Sequence, residues 1–145
     1  MSVIDLLFNT GKNAINYIRE GSKNALILDE RIKRSIKGEL VGSRVEGRVV
    51  IEDGTKIVNS TIRGPTIIGR NCLIQNSFIG PYTSVDDGAR ILNSSVEYCV
   101  ILENALLDNV DRLEESLIGR HAKVRRSKGR GIIRLNIGDY SEVEM

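Results

Sequence analysis

The sequence predicts an all-β fold, a parallel β-helix of the hexapeptide-repeat type, over residues 45 to about 143. Three repeating features support it. Aliphatic residues recur in steps of six, six and five residues, a 17-residue period, at positions 51, 57, 62, 68, 74, 79, 85, 91, 96 and 102. Asn-Ser pairs recur at 59–60, 76–77 and 93–94, and Gly or Asn at 54, 71 and 88. This spacing matches a coil with three flat sides, and it fits neither an amphipathic helix nor a hairpin meander.

Each coil should contribute one inward aliphatic residue per side, and successive coils should stack at the strand spacing of about 4.8 Å. Cys72 then falls in a column of small residues, where we expect a packing role. The Asn column is predicted to form an amide ladder, because stacked strands bring identical side chains together. The positions that carry Gly or Asn are predicted to be left-handed corners, since these residues tolerate positive φ; they are Gly54, Asn71 and Gly88.

The repeat becomes irregular after the third coil. Ala105 stands where Gly or Asn is expected, so one side is predicted to shorten between Leu102 and Leu107. The pattern then resumes, and residues 118–124 have the form of residues 79–85. This match places His121 at a corner position that Tyr82 and Tyr140 also hold. Residues 125–131 interrupt the hexads, and we expect them to form a loop that leaves the coil.

Residues 1–44 show no repeat of this kind. Ser22 is suited to cap a helix over residues 23–37. One face of that helix would be apolar, and Gly38 follows its end; the apolar positions are Ala25, Leu28, Ile32 and Ile36. Because an open β-helix end presents unpaired strand edges, we expect this helix to cover the first coil.

Composition excludes several classes of function. The formal net charge of +2 is too small to predict binding to nucleic acid or to a membrane surface. No apolar run is long enough to span a bilayer, and the N-terminus lacks the pattern of a signal peptide. Two cysteines without a CxxC motif do not predict a disulfide framework. We therefore expect a cytoplasmic protein.

Four segments carry a resemblance to a known family: residues 47–51, 59–69, 79–84 and 137–144. They resemble the C-terminal domain of long-form, mostly archaeal glucose-1-phosphate thymidylyltransferases and related sugar-1-phosphate nucleotidylyltransferases. The resemblance implies a left-handed β-helix domain over residues 39–145. Residues 7–12 and 24–29 are similar to the last part of the family's catalytic domain, which makes residues 1–38 a helical cap or linker.

The family's Gly-rich nucleotide-binding loop has no counterpart in this chain, either because the chain is a fragment of a longer enzyme or because it is a standalone relative. The resemblance therefore implies a non-catalytic module for oligomerisation or regulation in nucleotide-sugar biosynthesis. A nucleotidylyltransferase catalytic domain would be its partner. Related β-helices pair their flat faces, so we also expect a homo-oligomer, most simply a trimer. Its contacts would come from residues that neighbour inward positions and so point outward: Val50, Ile67, Phe78 and Leu117.

An alternative function rests on His121, the only histidine. In hexapeptide-repeat acyltransferases, a histidine near a subunit boundary acts as the general base. His121 could serve in this way in an acetyl-CoA-dependent transfer to an amino-sugar phosphate, because imidazole titrates near neutral pH. The competing interpretation is a solvent-facing corner residue. Outside the alternative no cofactor is expected, and a single histidine predicts no metal site.

A basic cluster follows His121. Guanidinium groups match phosphate geometry, so the loop is a candidate site for an anion or for coenzyme A. The competing interpretation is a solvated charge run. The strongest candidates are Arg125, Arg126, Lys128 and Arg130, with Arg120, Lys123 and Arg134 nearby.

Overall fold

The computed structural model describes residues 34–127 and 130–145, which form three parallel sheets around one aliphatic core. Each coil contributes one short strand to each sheet, so strands that are neighbours in a sheet are three elements apart in the chain. No helix occurs in the described part of the chain. The predicted all-β parallel β-helix is confirmed.

The first sheet contains β1 (Arg34–Ile36), β4 (Val49–Ile51), β7 (Thr66–Ile68), β10 (Thr83–Val85), β13 (Val100–Ile101), β16 (Leu117–Ile118) and β19 (Asn136–Ile137). The second contains β2 (Glu39–Val41), β5 (Lys56–Val58), β8 (Leu73–Gln75), β11 (Arg90–Leu92), β14 (Leu106–Asp108), β17 (Lys123–Arg125) and β20 (Glu142–Glu144). The third contains β3 (Arg44–Glu46), β6 (Thr61–Arg63), β9 (Phe78–Ile79), β12 (Ser95–Glu97), β15 (Arg112–Glu114) and β18 (Ile132–Ile133).

The core consists of three columns of inward aliphatic residues, one from each sheet. Ile57, Ile74 and Ile91 are paired in register in the second sheet and are fully buried, as predicted. Complete burial of such a side chain stabilises the fold by about 1.5–3 kcal/mol. The other two columns are equally aliphatic; they are Ile51, Ile68, Val85, Ile101 and Ile118 in the first sheet, and Val45, Ile62, Ile79, Val96 and Leu113 in the third.

The fourth coil is shortened at a different place from the one predicted. Ile101, and not Leu102, pairs with Val85 and enters the core. Compared with the preceding coils, the spacing of inward residues is one residue shorter between Val96 and Ile101 and one residue longer before Leu113. The two changes cancel, so the length of the coil in the sequence stays 17 residues. The prediction that Ala105 takes the Gly or Asn corner position is therefore wrong.

The corners between sheets are turned by residues with positive φ. We name the corner between the first and second sheets the first corner, that between the second and third sheets the second corner, and that between the third and first sheets the third corner. The predicted left-handed conformation at Gly54, Asn71 and Gly88 is confirmed, with φ of 79°, 55° and 73°. The first corner continues in the same conformation with Asn104, His121 and Tyr140.

The second corner shows why Asn recurs there. Asn59, Asn76 and Asn93 have φ between 46° and 51°, so the backbone conformation itself favours Asn. The predicted amide ladder is present between Asn76 and Asn93, whose Nδ2 and Oδ1 atoms are 3.3 Å apart.

The continuous ladder at this corner is made by the next residue, which is a serine in four successive coils and Val110 in the coil after them. The Ser60 hydroxyl donates to the Val58 carbonyl at 2.7 Å and accepts from the Ser77 N–H at 3.0 Å. Ser43, Ser77 and Ser94 repeat this arrangement in their own coils. The hydroxyls therefore satisfy backbone groups that the corner withdraws from the strand ladder.

The predicted helix over residues 23–37 is wrong at its C-terminal end. Arg34–Ile36 form β1, which pairs with β4, while residues 23–33 lie outside the described residues. Ile36 and Leu40 are four positions apart, whereas Ile51 and Ile57 are six apart. The first corner of the first coil is therefore two residues shorter than that of the next coil, and this coil does not follow the 17-residue period. Gly38 permits this path, because a Cβ there would lie 2.6 Å from the Thr55 carbonyl oxygen.

Thr83 offers a test of the core, because its fully buried hydroxyl has no hydrogen-bond partner among the described residues. In the preceding coil the Thr66 hydroxyl donates to the Arg63 and Gly80 carbonyls. Thr83→Val should therefore raise the free energy of unfolding by about 1 kcal/mol, and Thr66→Val should lower it by about 1 kcal/mol. Urea unfolding followed by circular dichroism measures both. A lower midpoint for Thr83→Val than for the wild type would contradict this packing.

Gly88 tests the left-handed corner. Gly88→Val places a β-branched residue at positive φ, whereas Gly88→Asn places there the residue type that occupies this conformation at Asn71 and Asn104. A Cβ at Gly88 also meets the flexible amide end of Asn104, and both variants share that cost. We expect Gly88→Val to be less stable than Gly88→Asn by roughly 1–3 kcal/mol. Equal urea midpoints would show that the backbone is not left-handed here.

Candidate functional site

His121 lies at the first corner with an exposed side chain and φ of 56°. Its ring stacks on that of Tyr140, with centroids 4.9 Å apart and planes 8° from parallel. Its backbone N–H donates to the Glu103 carbonyl at 2.9 Å. Among the described residues, neither imidazole nitrogen has a hydrogen-bond partner that would fix its tautomer. The general-base role of His121 stays a prediction.

Tyr82 does not share the corner of His121. It lies at the third corner, where its ring stacks on Tyr98 with centroids 5.4 Å apart. The predicted alignment of His121 with Tyr140 is confirmed, and the alignment with Tyr82 is wrong. Residues 79–85 and 118–124 have the same hexad form but run between different pairs of sheets, so the local pattern cannot distinguish them.

The basic loop folds back onto the second corner. The Arg126 guanidinium donates to the Arg130 and Gly131 carbonyls at 3.0 and 3.1 Å. The Asn109 amide donates to the Arg126 carbonyl at 2.7 Å, and the Asp111 carboxylate accepts from the Gly131 N–H at 3.2 Å. Arg126 therefore holds the loop in shape. Lys128 lies outside the described residues.

The other basic side chains are spread over several faces and alternate with carboxylates. Arg125 projects from the second sheet between Asp108 and Glu144. Two exposed ion pairs accompany it, Lys123–Glu142 at 3.9 Å and Arg134–Glu115 at 3.4 Å. Exposed pairs of this kind add little stability, but they reduce the local positive potential. Anion or coenzyme A binding at this loop stays a prediction.

An open groove of about 440 Å³ runs along the second corner and the start of the third sheet. It is not predicted from the sequence, because the Asn column is assigned there to an amide ladder alone. The available signal was the outward position that follows each Asn-Ser pair, which carries Thr61, Phe78 and Ser95 in successive coils. The groove is lined by Asn59, Thr61, Asn76, Ser77, Phe78, Asn93, Ser94, Ser95 and Asp111.

Phe78 is the aromatic residue of this groove. It is half-buried on β9 between Thr61 and Ser95, both of which are smaller. The guanidinium carbon of Arg63 lies 5.7 Å from the centroid of its ring. The Phe78 ring therefore lines one side of the groove, and the rest of the lining consists of small polar residues.

The two cysteines lie in the core. Cys72 is 2% exposed, and its backbone N–H donates to the Thr55 hydroxyl at 3.1 Å, which confirms its packing role. Burial raises the pKa of the Cys72 thiol and raises that of Cys99 to about 12. Both thiols therefore stay protonated and unreactive at neutral pH.

Two further classes of site are absent from the part of the chain that the structure describes. No group of three or more His, Cys, Asp or Glu side chains there converges as metal ligands would. No helix in the same residues has the length and apolar character needed to cross a membrane.

Comparison with known proteins finds no matching family model, but it finds similar curated sequences. The glucose-1-phosphate thymidylyltransferase of Streptomyces antibioticus is 40% identical over 119 residues, which is 81% of this chain and 33% of the relative. The enzyme of the same name from Streptomyces griseus is 38% identical over 100 residues, 68% of this chain and 28% of the relative. The chain thus spans about a third of the length of these relatives.

A solved structure shares the fold. The acetyltransferase domain of PglB from Neisseria gonorrhoeae FA1090 aligns with a TM-score of 0.54, covering 90% of this chain and 63% of that chain. The identity is 16%, so this likeness concerns the fold alone.

Proposed function

The chain fits the C-terminal β-helix domain of the glucose-1-phosphate thymidylyltransferase family, and from this premise we propose that it is a non-catalytic module of nucleotide-sugar biosynthesis. Its role would be to hold subunits together and to support regulation. A nucleotidylyltransferase catalytic domain would be its covalent or non-covalent partner.

The outer face of the first sheet is the observation that carries this proposal. Its outward column has no charged residue in any described strand; the residues are Ser35, Val50, Ile67, Ser84, Val100, Leu117 and Asn136. Depletion of charge at the centre is characteristic of subunit interfaces. The outer face of the third sheet, in contrast, carries the ion pairs Arg44–Glu46, Arg63–Glu46 and Arg112–Glu114.

Three copies of the chain could bury this face against one another in a closed assembly. Val50, Ile67 and Leu117, which were expected to lie at the interface, share the face, whereas Phe78 lies on the third sheet. In a trimer with the first sheets directed toward a threefold axis, each copy would cover the uncharged column of a neighbour. Closed cyclic symmetry leaves no such column exposed.

A matched pair of variants tests the trimer. Val50 and Val58 are both half-buried and outward, but Val50 is on the first sheet and Val58 on the second. We expect Val50→Asp to dissociate the assembly, because it buries an unpaired charge at the interface, and Val58→Asp to leave it intact. Light scattering should give three times 16.1 kDa for the wild type and for Val58→Asp, and 16.1 kDa for Val50→Asp. A wild-type mass of 16.1 kDa at all concentrations would contradict the proposal.

The acyltransferase alternative is tested in the same preparation. Incubation with acetyl-CoA and glucosamine-1-phosphate, followed by a free-thiol assay, should give no turnover from a non-catalytic module. Turnover that disappears in His121→Ala would contradict that role and establish the alternative.

A further inference from the structure

We propose that the groove at the second corner is a binding site for an uncharged pyranose ring, in an oligosaccharide or in a sugar phosphate. The inference builds on the proposed function, because it names the class of ligand that such a module would recognise. Its volume of about 440 Å³ falls within the range of small-ligand sites. It lies on a different side of the prism from the first-sheet face assigned to assembly, so both could be used at once.

The groove presents hydrogen-bonding groups at regular intervals. Amide side chains recur along it once per coil, at the strand spacing of about 4.8 Å. The bond from the Asn76 Nδ2 to the Asn93 Oδ1 does not use the oxygen of Asn76 or the nitrogen of Asn93, and both residues line the groove. A pyranose ring carries adjacent hydroxyls that both donate and accept, which is the pattern that paired amide donors and acceptors match.

Phe78 supplies the apolar contact that sugar recognition also needs. One face of a pyranose ring is lined by C–H groups, and this face packs on an aromatic ring. Because the flanking Thr61 and Ser95 are small, the side of the Phe78 ring is open to the groove. The hydroxyls of Thr61 and Ser95 have no partner among the described residues and can bind the rim of the same ring.

Charge selects against other ligand classes. No lining residue is basic, and Asp111 contributes a carboxylate, so a phosphate held within the groove would be repelled. One aromatic residue among eight polar ones leaves too little apolar surface for a lipid chain or an amphipathic helix. A neutral, polyhydroxylated ligand remains as the best match.

The basic loop adjoins one end of this groove. Asp111 lines the groove and also accepts from the N–H of Gly131 in the loop. The exposed Arg130 belongs to the same loop. A sugar phosphate could therefore place its ring in the groove and its phosphate beyond Asp111, toward Arg130, whereas an oligosaccharide would use the groove alone.

The test is a titration of the full 145-residue chain, labelled with ¹⁵N, with three probes: maltotriose, glucose-1-phosphate and inorganic phosphate. Shifts of the amide signals around Phe78 and Ser95 with at least one of the two sugars are expected. Tighter binding of glucose-1-phosphate than of maltotriose would identify a sugar phosphate as the source, and the reverse would identify an oligosaccharide. No shift with either sugar, or shifts with phosphate alone, would overturn the inference.

Variants locate the site. Ser95→Arg fills the groove from an outward position and should weaken sugar binding by about tenfold or more, a change of about 1.4 kcal/mol. Phe78→Leu keeps an apolar side chain but removes the ring, and it should weaken binding in the same direction. Glu103→Arg introduces an arginine at an exposed position of the first corner, outside both the groove and the outward column of the first sheet, and should leave the Kd unchanged. Equal affinity in Ser95→Arg and the wild type would show that the sugar binds elsewhere.

Light scattering on the same samples separates this inference from the proposed assembly. A trimer that binds no sugar would overturn the inference alone. A monomer that binds sugar in the groove would overturn the assembly alone.

Discussion

The fold depends on one constraint. A coil of about 17 residues must close a triangle, and each side of the triangle has room for only one large inward side chain. Three short strands leave few residues for each corner, so the backbone must turn within one residue. A left-handed conformation achieves this at all three corners of the prism, with Gly or Asn at most of these positions and Tyr98 and Glu115 among the exceptions. The corner at Gly38 is turned without it. Regular corners in turn keep Ile57, Ile74 and Ile91 in register, so that the columns pack without gaps.

Tight corners also bring a cost, because they withdraw backbone groups from the strand ladders. Buried residues with short polar side chains offset this cost, because they form hydrogen bonds with those backbone groups. The serines after the second corner bridge one coil to the next through their hydroxyls, and Thr55 and Thr66 serve the other two corners in the same way. The outward-facing Asn side chains are then less constrained by the fold, and at the second corner they line a groove.

The sequence predicted the architecture well, because a 17-residue period leaves few alternatives. It failed where residue counts are ambiguous. In the fourth coil, one side has a residue fewer and another side a residue more, so the total length does not distinguish Leu102 from Ile101 as the inward residue. In the first coil, the shorter corner at Gly38 breaks the 17-residue period, so the sequence pattern did not reveal that coil. The alignment of His121 with Tyr82 is wrong because hexads of the same form occur on different sides of the triangle. The groove was missed because an outward Phe between Thr and Ser gives no periodic signal. The contacts of Arg126 with its own loop were missed because they depend on the path of the backbone, which the charge pattern does not predict.

The coil-to-coil serine ladder is the feature on which the account of this fold is most directly tested. Amide hydrogen exchange measured by NMR reports it at individual residues. The N–H groups of Ser60, Ser77, Ser94 and Val110 donate to serine hydroxyls of the preceding coil, although they lie at corners and not within strands. We expect slow exchange at all four, comparable to the exchange of neighbouring strand amides. Exchange as fast as that of an exposed loop at these positions would contradict the stacked register.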